Sequence, residues 1–130
     1  MKKVNLLLIA FILFLSTGFA QTQKTVWPEM NAFHSLMSSS FHAAEEGNFA
    51  PLKENAEQMY YASKKWINSP VPANIKDTDV MTNIQKLWKQ CNKIWSSVSK
   101  NASDETLKTL ITAAHDTYHT IAGECQNAEK

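Results

Sequence analysis

The sequence predicts an all-α protein, an antiparallel up-down-up-down four-helix bundle, and three observations predict it. The 130-residue chain holds only three glycines and four prolines, too few breaks for a fold of many short strands. Apolar residues recur at intervals of three and four in four separate segments. The connections between those segments are mostly short, which makes consecutive helices antiparallel neighbours.

Residues 1–20 read as a secretory signal peptide: Lys2 and Lys3, an apolar run from Val4 to Leu15, then the small residues Gly18 and Ala20 ahead of a cleavage point. That run is too short for a comfortable membrane span, and no later stretch approaches the roughly 20 apolar residues a span needs. The expected product is a periplasmic or secreted protein beginning at Gln21, with no membrane segment after cleavage. Residues 21–130, about 110 in number, are expected to form a single domain around one core.

The first helix is predicted to open at Trp27-Pro28-Glu29, with proline in the first turn and an acid near the positive end of the helix dipole. Its stripe is Met30, Phe33, Met37, Phe41 and Ala44, and Gly47 is placed to end it. Pro51 restarts the chain, and Leu52, Ala56, Met59, Ser63 and Trp66 form the second stripe before Asn68-Ser69-Pro70. Pro70 and Pro72 mark the one extended linker. The third helix starts near Asp77-Thr78-Asp79, and Val80, Ile84, Leu87, Cys91, Ile94 and Val98 step 4,3,4,3,4, the spacing of bundle packing. After a polar connection from Ser99 to Ser103, the fourth stripe is Leu107, Ile111, Ala114, Tyr118 and Ile121, with Gly123 expected to close the helix. Trp66, Trp88 and Trp95 lie on or beside these stripes and read as core.

Charge excludes one class of partner. Every basic residue is lysine, and taking Lys2 and Lys3 from 13 leaves 11 against 12 acidic residues, a net charge near −1. No basic surface remains to attract nucleic acid.

The chemistry sits in four histidines that occupy only two places, His34 and His42 in the first helix, His115 and His119 in the fourth. Histidine is the commonest transition-metal side-chain ligand. At 100° per residue, His34 lies about 40° from the centre of its stripe, Glu45 about 60° and His42 about 120°; His115 and His119 lie on the same signed flank of theirs. Neighbouring antiparallel helices can turn such flanks toward each other. Pairing residue 28 with 122 and 46 with 104 sets His34 between His115 and His119 and leaves His42 opposite position 108, roughly 10 Å away.

His34, His115 and His119 are therefore the expected triad, with His42 and Glu45 supplementary, or His42 forming half of a second site with Glu45 or Glu46. The spacing of His115 and His119 brings two imidazoles to one face, one turn apart, as a single ion requires. Met30 and Met37 flank His34 with thioethers suited to copper(I) or haem iron. Each residue also has a structural reading: His34 packed on Phe33 and Met37, His42 paired with Glu45 one turn on, and the methionines as core filler. No nucleophile or general base stands out, so binding rather than catalysis is expected. Glu45 and Glu46, adjacent on a helix, point about 100° apart.

Cys91 and Cys125 would form the default disulfide of an exported protein. Cys91 lies on a core stripe and Cys125 beyond Gly123, roughly 20 Å along the axis, whereas a disulfide needs Cα atoms within about 7 Å. Both outcomes stay open.

In helix count, order, length and proline-containing linker the chain resembles the soluble four-helix-bundle cytochromes, the b-type cytochrome and the cytochromes c-prime. That resemblance implies a noncovalent b-type haem held by a methionine early in the first helix and a histidine late in the fourth, here Met30 and His119. The CxxCH run for covalent haem attachment is absent. The chain also resembles small uncharacterised exported proteins with FH…FHxAEEG and HDxxHxI segments, here Phe33-His34, Phe41-His42-Ala43-Ala44-Glu45-Glu46-Gly47 and His115-Asp116-Thr117-Tyr118-His119-Thr120-Ile121.

The leading expectation is a non-catalytic, exported bundle that binds a copper or zinc ion through histidines, to buffer or sense it. The alternatives are a b-type haem electron carrier and a structural or partner-binding bundle without metal.

Overall fold

The computed structural model describes residues 27–75 and 78–128, so the predicted signal peptide, Gln21 and Asp77 lie outside the described residues. The four expected helices form: α1 spans Pro28–Glu45, α2 Ala50–Ile67, α3 Thr78–Ser99 and α4 Asp104–Asn127. Each packs against the two beside it, α1 on α2, α2 on α3, α3 on α4, and α4 back on α1. The four-helix bundle is thereby closed into a ring, and its closing α1–α4 seam is the most open of the four. Among the described residues no helix is long and apolar enough to cross a membrane.

The stripes pack as their spacing dictates. Phe33, Met37, Leu52, Met59, Trp66, Ile84, Leu87, Ile94, Leu107, Ile111 and Ile121 are fully buried in one core. Trp66, near the end of α2, is completely buried and touches Trp27 edge-on at 5.7 Å and Phe33 at 5.7 Å. Trp88 and Trp95 depart from the core reading: both are only partly buried. They form an outer ring cluster between α2 and α3, where Tyr60 lies 6.3 Å from Trp88 and 5.1 Å from Trp95.

Local chemistry sets the ends. Pro28 opens α1 where its missing N–H costs nothing. The indole N–H of Trp27 donates to Ser69 Oγ at 2.8 Å, tying the entry to α1 to the exit from α2. Gly47, at φ 85°, ends α1 with the backbone N–H of Gly47 bonded to Ala44 O at 3.0 Å and that of Asn48 to Ala43 O at 2.8 Å. Asn101 repeats the device after α3 with φ 55°, with its N–H on Val98 O and that of Ala102 on Ser97 O. Ser103 caps α4 by accepting from Thr106 N at 3.2 Å.

Gly123 does not close α4. The helix runs through it to Asn127, because the turn beyond has interactions of its own: Cys125 is buried, and Glu124 accepts from Asn83 Nδ2 at 2.9 Å. No disulfide joins Cys91 to Cys125. The extra turn of α4 does not bring them together, since Glu124 is level with Asn83 on α3, two helical turns before Cys91.

Candidate functional site

Three of the four histidines follow a buried aromatic residue directly: Phe33-His34, Phe41-His42 and Tyr118-His119. The geometry of a helix explains the consequence. With the aromatic ring turned into the core, its successor lies about 100° round, on the flank of the α1–α4 seam. His34, His42 and His119 are exposed there, and His115 is half-buried.

The seam is a column of stacked rings. His34 lies flat on Tyr118, with centroids 4.9 Å apart and planes within 5°. His115 lies flat on Phe41, at 3.6 Å and 9°. Tyr118 in turn touches Phe33 at 6.0 Å and Trp66 at 6.2 Å, which joins the seam to the core. Sequence reading placed Phe41 and Tyr118 on their stripes but missed them as platforms for histidine. The repeated aromatic-His dipeptide is the signal that carries this.

The Nε2 atoms of His115 and His119 stand 3.1 Å apart, with ring centroids at 4.4 Å. His42 Nδ1 is paired with Glu45 Oε2 at 3.1 Å, and its ring lies 6.3 Å from that of His115. The expected placement of His42 therefore fails. His42, expected opposite position 108, lies against His115 instead. His34, expected level with the stretch between His115 and His119, is at that level, stacked on Tyr118.

Electrostatics follow from this crowding. Burial, then the neighbouring His119, holds the His115 pKa below its ordinary 6.5; His42 pushes the same way, while Asp116 and Glu45 oppose. Tyr118 is raised by its burial and, next, by Cys125. Around the site, α1 carries Glu29 and Glu45 with no lysine, and α4 carries Asp104, Glu105, Asp116 and Glu124 against Lys108. The lysines gather on the opposite helices, with Lys86, Lys89 and Lys93 on α3 against Asp79.

Beside the histidine pair, toward the start of α1, lies a cleft of about 300 Å³ lined by Trp27, Met30, His34, Tyr118, His119 and Cys125 among others. Met30 and His119, the residues that the cytochrome resemblance implies for haem, both face it. Beneath them the rings of Phe33, Trp66 and Tyr118 fill the interior.

As they stand, no three or more His, Cys, Asp or Glu side chains among the described residues are grouped closely enough to hold an ion. Two are. Zinc–nitrogen bonds of about 2.0–2.1 Å at angles of 90–109° separate two ligand nitrogens by about 2.9–3.4 Å, and the His115–His119 spacing of 3.1 Å falls inside that interval. The chain matches no family model, no curated protein and no solved structure.

Proposed function

We propose that this protein binds a transition-metal ion, copper or zinc, at the α1–α4 seam, and that it buffers or senses the ion after export rather than turning over a substrate. The observation that carries the reading is the 3.1 Å separation of His115 and His119 Nε2, one turn apart on α4. Imidazole nitrogens suit both metals. The acidic character of α1 and α4 favours approach of a cation to this side of the bundle. The ion is cargo, held by a half-exposed pair from which it can leave.

A second reading is a noncovalent b-type haem on Met30 and His119, supported by their sharing one cleft. Its volume is at the lower end of small-ligand sites, about 300–1,000 Å³, so a porphyrin would have to displace Tyr118 and Trp27 from their packing. Bound haem would supply one-electron redox chemistry there. A structural or partner-binding bundle without metal is the third reading, and it predicts no change of stability with any ion.

The test is elemental analysis and an absorption spectrum of the protein purified from an exporting host without chelator or histidine tag. About one equivalent of copper or zinc, lost in His115→Ala, supports the ion site. A Soret band lost in Met30→Ala would move the assignment to haem. Protein that is colourless and indifferent to added copper, zinc and haem would sink both.

A further inference from the structure

We infer that His42, oriented by Glu45, is the third ligand of this ion, so that binding pins α1 to α4 across the one open seam of the bundle. This rests on the metal-binding reading and adds to it a named arm and a mechanical consequence.

Two histidines on one helix hold an ion weakly, and a third donor has to come from α1. Two histidines lie there. His34 is committed to Tyr118, with its ring stacked at 4.9 Å and 5°, and reaching the pair would break that stack. His42 is two-thirds exposed and already faces His115. Its Nδ1 is paired with Glu45 Oε2 at 3.1 Å. A carboxylate there keeps the proton on Nδ1 and leaves Nε2 as the free donor, the arrangement by which outer carboxylates orient metal-bound histidines.

The displacement of His42 toward His115 is about 1–2 Å between ring centroids. Two imidazoles sharing an ion at 90–109° have centroids about 4.5–5.2 Å apart, given metal–nitrogen bonds near 2.05 Å. His115 and His119 are already at 4.4 Å, and His42 has to close from 6.3 Å by a side-chain rotation that keeps its Glu45 partner one turn away. Three histidines leave one tetrahedral position for water or an external donor.

The consequence is coupling between the ion and the seam. Because α1 and α4 join the ends of the helix order, no short loop ties them to each other, and their contact is the sparsest of the four. An ion bridging His42 to His115 and His119 supplies a direct link at that place. Hydrogen exchange in the last turns of α1 should therefore slow when the ion binds.

The experiment is titration of the mature, tag-free protein with zinc, read by calorimetry and by amide hydrogen exchange over residues 41–46. Wild type, His34→Ala, His42→Ala, Glu45→Gln and His115→Ala are compared. His42→Ala should weaken zinc about a hundredfold and Glu45→Gln about tenfold, in line with loss of a ligand and of its orienting carboxylate. His34→Ala should stay within a few-fold of wild type. Zinc should slow exchange in the wild type and in His34→Ala, but not in His42→Ala even at saturation.

Wild-type affinity in His42→Ala, or a loss in His34→Ala as large as in His42→Ala, overturns the arm while leaving the His115–His119 pair intact. Failure of the wild type to bind zinc or copper overturns the parent reading itself. Unchanged circular dichroism of the variants, of which only His115→Ala alters a half-buried side chain, separates loss of the ion from loss of the fold.

Discussion

His115 and His119 face each other through their Nε2 atoms at 3.1 Å. In the metal-free protein one of these nitrogens has to donate and the other accept, so the two rings take opposite tautomers. Nitrogen-15 spectra of chelator-treated protein near pH 8 should show one ring protonated at Nε2 and its neighbour at Nδ1. Identical tautomers would contradict the contact.

The same pair carries a pH dependence. His115 is held below 6.5 first by burial and then by His119. A histidine whose pKa is depressed in the folded state binds fewer protons there than when unfolded, so its contribution is complete above 6.5 and is lost as pH falls through the folded value. Proton titration should place the His115 midpoint below 6.5, and His119→Ala should raise it part of the way.

Cys91 provides a second titration of opposite sense. Its burial on the core face of α3 pushes the thiol from 9.0 up to about 12, with its hydrogen bond to Ser63 opposing. The folded state here keeps a proton that the unfolded state releases, so stability is full below pH 9.0 and declines as pH rises from there to about 12. Native protein at pH 8 should resist alkylation at Cys91, because the thiolate is the nucleophile, and react once denaturant is added. Rapid labelling of the native thiol would refute this.

The two described glycines are predicted to respond in opposite directions. Gly123 lies inside α4, and a Cβ there meets nothing within 4 Å. Gly123→Ala should stabilise the protein by about 0.5–1 kcal/mol. Gly47 has equal space but stands at φ 85°, so Gly47→Ala should cost about 1 kcal/mol. Urea unfolding midpoints of the two variants, on either side of wild type, check the pair.

Core and cap have separate magnitudes. Leu87 is completely buried, and Leu87→Ala should cost about 2–5 kcal/mol, according to how far the cavity collapses. Ser103→Ala removes the bond to Thr106 N and should cost about 1 kcal/mol. Equal losses in the two variants would mean that the core at Leu87 repacks more fully than its burial implies.

What the amino-acid sequence determined by itself was whatever depends on periodicity and local chemistry. Apolar residues spaced by three and four make amphipathic helices because of the helix pitch, so Phe33, Met37, Leu52, Leu87 and Ile111 were legible as core, and Pro28, Gly47 and Ser103 as ends. The flank bearing the histidines followed from the same pitch. What only the tertiary structure decided was where α4 stops and which side chains meet across the α1–α4 seam. A glycine carries no local instruction strong enough to end a helix when the next turn buries Cys125 and pairs Glu124 with Asn83. Packing across the α1–α4 seam sets His42 against His115 and His34 on Tyr118. The residues of the candidate site were thus readable one at a time, while their partners were set by packing between distant segments, which no local spacing records.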